Sequence, residues 1–496
     1  MHRHVKRGVK ILMIEGGSSL EMAIPPNIAV IVAAVKAANF EIEMFSLNDY
    51  NRGDLTGDDI RVNTLQVPPA VSEEAFIKGK SSDMVSDFQT MVISYKPDII
   101  GFSSFEPTYE LGLKLLRSIN DKDIFTIVGG VYATLCPEKI IIEDAVDAVC
   151  IGEGEDALVE LCRSIETGKI NYSIPNLWFK VDSEIVKNCG RTLVNLDEIH
   201  FQDWSPWKVP PRASKAMAGK IRITALVELS RGCPYNCTYC VNEFLNDTFK
   251  GNYRERSAGR FVDEVRMLQR RYDIKFVYFV DETLLTTSKR RFEELIEKYS
   301  VLQIPFWCQS RIESLTYEKV KLLKEIGLQA INIGIECGNE KFRKKILHRR
   351  SSNSGLIQGV QEAKRAGVRV GANVIIGLPG ESRNEIFETI ELIREAQPTS
   401  TMVHLFQPYE KTPMREESIK MGLIKDDFIC GDYRFEPLGT GQVSSRELIG
   451  IQRVFNLYVD HPKNRWDEIS EAESDDSKFA KLAREYQLKH YGRSSF

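Results

Sequence analysis

The chain has 496 residues, enough for two or three domains that each bury an apolar core. Its 66 basic and 70 acidic residues leave a net charge of −4, which favours neither nucleic acid nor a membrane surface as a partner. No segment reaches the ~18 consecutive apolar residues of a membrane span. The apolar run behind the basic start ends at Glu15 with no small-residue cleavage site, so the expected location is cytoplasmic, where clustered cysteines serve metals or redox chemistry rather than disulfides.

In chain order, 9–17, 40–49, 97–104, 124–130 and 145–155 read as five parallel strands, with 24–38 and 109–120 as crossover helices. Gly or Ser stands at nearly every strand end, which lets a ligand approach the backbone at the carboxyl edge of an open doubly wound sheet. No G-x-G-x-x-G opens the first helix, so a dinucleotide is not the expected ligand. The segment 174–212 reads as a short strand pair followed by a proline-rich linker that carries tryptophans.

A strand-like run, 222–229, leads into "SRGCPYNCTYC", where Cys233, Cys237 and Cys240 have the spacing C-x3-C-x2-C. A closed zinc site asks for four ligands, usually as two pairs, and no second pair exists in the sequence. Three thiolates suit a cubane iron–sulfur cluster with one iron left open; the alternative is a loop that three cysteines merely cap. Apolar, β-rich runs recur at 274–282, 304–311, 328–336, 368–381 and 401–409, separated by amphipathic helices such as 257–272 and 384–396. With the run before the cysteines they make six strand–helix units, hence a parallel sheet with chemistry at its carboxyl ends. Asp281, Glu282, Gln309, Arg311, Glu336 and the "GLPGE" of 377–381 stand at those ends. Beyond about 425 the chain becomes polar and weakly periodic, with an acidic run at 467–478 that reads as a solvated face and a short amphipathic helix.

The cysteine motif, with Tyr239 just before Cys240, resembles the hallmark of the radical SAM superfamily. The pieces "PPNIAVIVAAVK", "KPDIIGFSS", "GGVYATLCPE" and "VCIGEGEDAL" together resemble, in order, the cobalamin-binding domain that precedes one large class of these enzymes, the class B type methyltransferases. The resemblance covers about 9–425 and implies an α/β chain: a Rossmann-like cobalamin-binding domain (1–165), a connector (166–220), a partial (β/α)6 radical SAM barrel (221–425) and a C-terminal extension (426–496). It implies a [4Fe-4S] cluster on Cys233, Cys237 and Cys240, and S-adenosylmethionine (SAM) held by Tyr239, Gln309, Arg311, Glu336 and Gly377. Cobalamin would be held by Ser103, Ser104, Gly129, Gly130, Tyr132, Thr134, Gly152, Glu153, Gly154 and Glu155. Tyr132 stands where many relatives have His and Asn39 where Gly is common. No D-x-H-x-x-G follows the first strand and the loop 15–27 lacks histidine, so cobalt should have no imidazole ligand from this domain; His200, His348 and His404 are the alternatives elsewhere.

The implied reaction uses SAM twice, once to methylate cobalt and once to give the deoxyadenosyl radical that abstracts hydrogen from an unactivated carbon, which then takes the methyl group. Such chemistry implies an external one-electron reductant such as ferredoxin or flavodoxin, and places substrate between barrel mouth and corrin. The segment "FQPYEKTPM" (406–414) departs from the family's commoner P-G-T pattern, and Tyr409, Glu410 and Lys411 are expected to face a polar or peptide substrate, with Tyr409 and Lys411 as the site candidates. The expected substrate is a protein or peptide, as in the family's methylation of glutamine and arginine of methyl-coenzyme M reductase. Alternatives are a ring-closing or rearranging enzyme of the same build acting on a small metabolite, and a cobalamin carrier or sensor with a structural cluster.

Overall fold

The computed structural model describes residues 8–16, 23–50, 57–68, 79–209, 213–217, 220–431 and 437–492. Residues 17–22 of the histidine-free loop lie outside this set. The chain divides into two compact units, Met1–Asp54 with Glu74–Ser214 and Ile429–Tyr433, and Leu55–Glu73 with Lys215–Phe428 and Arg434–Phe496.

The first unit is built on β1 (Lys10–Glu15), β2 (Glu41–Ser46), β3 (Ile99–Ser103), β4 (Phe125–Gly129) and β5 (Ala148–Cys150), all parallel in the order β2-β1-β3-β4-β5. Runs such as KILMIE and IIGFS are apolar between their end residues because helices cover both faces of a parallel sheet. Parallel neighbours need a long crossover, and the one between β2 and β3, where the sequence suggests no element, is the helix Met84–Tyr95, capped by Asp83 accepting from the Ser86 N–H. The strand pair expected in 174–212 is β6 (Leu177–Val181) and β7 (Glu184–Lys187), and it extends this sheet antiparallel beyond β5. The linker behind it is pinned as well: Trp207 Nε1 donates to the buried Glu15 carboxylate at 2.9 Å. Because the chain leaves β1 toward β2 and returns to β3 on the other side, the topological switch lies at the carboxyl ends of β1 and β3.

The second unit holds β8 (Ser214–Met217), β9 (Lys220–Val227), the two-residue ladder β10 (Ser230–Arg231) with β11 (Arg254–Glu255), and β12 (Phe276–Phe279), β13 (Phe306–Ser310), β14 (Leu328–Glu336), β15 (Arg369–Ile376) and β16 (Ser400–Leu405). The sheet runs β16-β15-β14-β13-β12-β9-β8, and its six strands from β9 to β16 are parallel, the partial barrel that the six repeats imply.

The edge strand β16 is closed by side-chain amides. Gln66 accepts from the Val403 N–H at 2.9 Å and donates to its carbonyl at 3.3 Å, and Gln452 donates to that carbonyl at 2.9 Å. Asn456 donates to Thr401 and Leu65. These bonds satisfy an edge that would otherwise present unpaired groups. Residues 57–68 therefore build the barrel unit although they lie within the N-terminal part of the sequence.

The C-terminal region also corrects the sequence reading. Ser445–Asp460 and Asp476–Tyr491 are both 16-residue helices, with Trp466–Ala472 between them. Leu448, Ile451, Val454 and Phe455 are fully buried, so the polar composition there conceals one continuous apolar stripe.

Candidate cofactor sites

The cysteine loop begins where β10 and β11 pinch the chain together. Gly232 opens it at φ +82°, and a Cβ there would fall 2.6 Å from the Asn252 carbonyl oxygen, so only glycine fits. Asp281, at the end of β12, is wholly occupied by this anchor: it accepts from the Leu229 N–H at 3.2 Å and from the Ser230 N–H and hydroxyl at 2.5 Å. Glu282 is exposed. Asn246 closes the loop from the helix that follows, donating to the Cys233 carbonyl at 2.9 Å and to Asn236 at 3.0 Å.

All three thiols are free, with Cys237 buried and Cys233 and Cys240 half-buried. Burial pushes Cys233 up to about 11 and Cys240 up to about 12, so loading iron must displace protons. Arg311 Nη1 lies 3.2 Å from Cys237 Sγ, its guanidinium stacks 3.9 Å over the Tyr235 ring, and Glu313 holds it at 2.7 Å. Among the described residues no three His, Cys, Asp or Glu are placed to hold one metal ion. Thiolates that bind different irons of a cubane need not converge on a point, and three soft donors on one short loop fit that group.

Next to the loop, β14 ends in a conformation that side chains rarely adopt: Glu336 has φ +66°, just after a register shift against β15. Its carboxylate occupies the space that Gly334 leaves, since a Cβ there would lie 2.1 Å from Oε1. Arg349, which the sequence reading does not single out, ties the corner together. Its Nη1 reaches Tyr239 Oη at 3.2 Å and Glu336 Oε1 at 3.4 Å, and Nη2 reaches the Gly334 carbonyl at 2.5 Å. Burial raises the Glu336 pKa, and Arg349 opposes that rise.

The 377–381 loop is held from within. Glu381 Oε2 accepts from the Gly377 and Leu378 N–H groups at 2.8 and 3.2 Å, while burial pushes the carboxyl up to about 8. Arg349 Nε and Glu381 Oε1 are buried with no protein partner among the described residues, so this end of the barrel has polar capacity to spare for a charged amino-acid ligand such as SAM. Gln309 stands lower on β13, its Oε1 accepting from the Tyr278 hydroxyl at 3.3 Å.

Of the expected substrate contacts, Lys411 is exposed at φ +61° and Tyr409 is half-buried. Glu410 is not available to a substrate: it is buried and ion-paired with Arg415 at 3.0 Å. The segment instead supports the cysteine loop, with the Met414 N–H donating to the Thr238 carbonyl at 3.0 Å and Phe406 and Met414 packed with Cys337, Leu347 and Leu378.

In the first unit, Ser46, Glu15, Ser103 and Gly129 stand in register at the carboxyl ends of adjacent strands, so small side chains flank the switch point. Several candidate residues there are tied to the protein itself. Ser104 donates to the Gly129 carbonyl at 2.7 Å, Thr134 donates to Gly130 and accepts from the Gly152 N–H, and Glu153 accepts from the Val194 N–H at 2.8 Å. Tyr132 is buried against Tyr109 with ring centroids 4.8 Å apart, and Glu155 is buried at the start of the helix Glu155–Glu166. They shape the edge, while Ser103, Gly129, Gly130, Gly152 and Gly154 are small and half-buried and so let a large planar ligand come close, which fits cobalamin.

Comparison with known proteins finds a family match in each part of the chain. Residues 227–393 match the radical SAM superfamily and residues 17–162 match the B12 binding domain. An uncharacterized methyltransferase of Pyrococcus horikoshii is 28% identical over 356 residues, which is 70% of this chain and 75% of that protein. The radical S-adenosylmethionine methyltransferase TsrM of Kitasatospora setae, solved with tryptophan substrate and a SAM analog, has the same fold at TM-score 0.64 and 16% identity, over 84% of this chain and 77% of TsrM. The cobalamin-dependent S-adenosylmethionine radical enzyme OxsB, solved with aqua-cobalamin and S-adenosylmethionine, aligns at TM-score 0.65 and 14% identity over 98% of this chain and 72% of OxsB. Among the described residues no helix is long and apolar enough to cross a membrane. The chain thus carries a B12 binding domain ahead of a radical SAM domain, with a methyltransferase among the proteins it is similar to, and this pairing of domains calls for a [4Fe-4S] cluster, SAM and cobalamin as cofactors.

Proposed function

We propose that the protein methylates an unactivated sp3 carbon in a protein or peptide, at a residue with an uncharged amide such as glutamine. One observation carries this reading. The inner faces of β12 to β16, matched by register, present Tyr278, Trp307, Gln309, Asn332, Asn373 and His404, all half-buried. His404 contacts Asn373 at 3.4 Å, and burial pulls its imidazole down to about 4, so it is neutral at physiological pH. A lining of carboxamides, indole, phenol and neutral imidazole suits a substrate that both donates and accepts hydrogen bonds and carries no charge. Among the described residues, cations stand only at its border, where Lys215 Nζ lies 5.3 Å from the Tyr278 ring centroid and Arg61 is close enough to act on His404.

Cys233, Cys237 and Cys240 would hold the cluster, Tyr239, Arg311, Glu336 and Gly377 the SAM, and the carboxyl ends of β3 and β4 the cobalamin. When bound, these groups supply one-electron bond cleavage and methyl transfer. The chain's part is to hold and exclude. Arg311 sets a positive charge beside Cys237, Glu336 and Arg349 offer a carboxylate and a guanidinium to an amino-acid ligand, and the amide-lined face orients the substrate amide.

The test is anaerobic incubation of the fully loaded protein with reductant, methyl-deuterated SAM and a peptide library from the host proteome. Release of 5′-deoxyadenosine with a labelled methyl on carbon in a peptide supports the reading. Release of 5′-deoxyadenosine with label only on small metabolites refutes the peptide substrate, and no release refutes the reaction.

A further inference from the structure

Chemistry at the cysteine loop consumes electrons that this chain does not supply, so a donor must approach that loop. The segment 340–350, EKFRKKILHRR, lies against it through two bonds. The Thr238 hydroxyl donates to the Ile346 carbonyl at 2.7 Å, and Arg349 reaches the Tyr239 hydroxyl at 3.2 Å, so both anchors fall between Cys237 and Cys240.

The segment divides its charges by burial. Arg343 is fully buried, donating to the Cys337 carbonyl at 2.6 Å and the Ser351 carbonyl at 2.9 Å, and Arg349 is turned inward. Lys341, Lys344, Lys345, His348 and Arg350 are exposed, and Ile346 among them is 41% exposed. Glu340 holds Lys344 at 2.5 Å and offsets one charge, while Glu243 lies close to His348. What remains is a short cationic surface around one apolar side chain, on a protein whose net charge is −4.

We propose that this surface docks a small acidic one-electron carrier protein, a flavodoxin or ferredoxin, which delivers the electron for SAM cleavage. The inference rests on the function proposed above. One electron leaves the donor, which is oxidised, and enters the cluster, which is reduced, with no atom exchanged. Opposite charge steers such a partner and sets its orientation, and Ile346 supplies the desolvated centre that a transient interface needs. The cations are few and compact, which suits a brief protein encounter better than the long phosphate track that nucleic acid binding requires. The other exposed arginines near a shallow surface cleft, Arg270 and Arg271, end the helix Ala258–Tyr272 that leads back to the amino end of β12, away from the cysteine loop.

The experiment compares the triple variant K341E/K345E/R350E with the control R270E/R271E in full-length, cluster-loaded protein. Binding of a fluorescently labelled flavodoxin is measured by anisotropy, and SAM cleavage is measured with flavodoxin hydroquinone and, separately, with dithionite. The triple variant should associate about tenfold more slowly at low ionic strength, a gap that closes near ~0.5 M salt, and should keep cleavage with dithionite. The control should match wild type throughout. Equal flavodoxin binding and reduction by the triple variant and wild type overturns the proposal, as does an equal loss in the control. So does tight binding of an RNA duplex that the triple variant alone loses while flavodoxin-driven cleavage persists. Wild-type protein that cleaves no SAM with dithionite refutes the proposed reaction instead, and the anisotropy arm still judges the surface.

Discussion

Replacing Arg415 with Met tests how the barrel unit supports its cysteine loop. Arg415 is almost fully buried, paired with Glu410 at 3.0 Å, and donates to the carbonyls of Pro408 at 3.0 Å, Asp426 at 3.0 Å and Phe428 at 2.6 Å. Methionine keeps much of the volume but takes this cation away from the Glu410 carboxylate, and breaking one side of a buried pair costs about 3–5 kcal/mol. The lost charged donor to three carbonyls adds to this, while water entering the gap returns some of it, so about 4 kcal/mol is expected. That is a large share of the roughly 5–15 kcal/mol that holds a domain folded. Arg415→Met with Glu410→Leu removes both charges and should recover at least half the loss, giving a coupling of about 2 kcal/mol or more in a double-mutant cycle. Because the Met414 N–H holds the Thr238 carbonyl, the single variant should also lose iron after reconstitution. The assay is anaerobic guanidinium unfolding with iron analysis. A loss below about 1 kcal/mol, or a double variant no better than the single, would refute the assignment of this turn as a buried buttress.

Alanine at Cys233, Cys237 or Cys240 should remove cluster iron and 5′-deoxyadenosine release but leave cobalamin binding intact, since the two sites lie in separate units. Alanine at the exposed Cys189 should change neither, as iron analysis and cobalamin absorbance would show. Glu381 carries a carboxyl at about 8 against 4.5 for the free group, so the fold binds its proton more tightly than the unfolded chain does. Its stabilising contribution is therefore complete below 4.5 and lost as pH rises through about 8, and Glu381→Gln should flatten that decline in unfolding free energy. An unchanged slope would show that the carboxyl is ionised in the fold. Arg349→Met leaves Glu336 buried without its cation and should weaken SAM binding to the cluster-loaded protein at least tenfold by equilibrium dialysis, whereas Arg349→Lys should restore part of it.

Much of the architecture was legible in one dimension because its signals are local. Buried parallel strands need unbroken apolar runs, as in KILMIE and FVYF, and the loop that presents three thiolates keeps them within eight positions. Gly232 and the turn at 377–381 are written in residue types that only such backbones require. Where tertiary context decided, the sequence reading strayed. Glu410 looked like a group for a substrate, but Arg415, five residues on, folds back and takes it, which depends on a turn that composition does not reveal. Arg349 stands among Lys344, Lys345, His348 and Arg350 with nothing in the sequence to set it apart, yet it is buried at the corner where β14 ends in a register shift and Glu336 and Tyr239 meet. Gln66 lies 337 residues from Val403 in the chain, and its carboxamide pairs with that edge strand as another strand would. Strand runs and ligand loops answer to neighbours a few positions away, so they survive in the sequence. Edge closure, buried ion pairs and burial itself depend on which distant segments meet, and only the folded chain determines that.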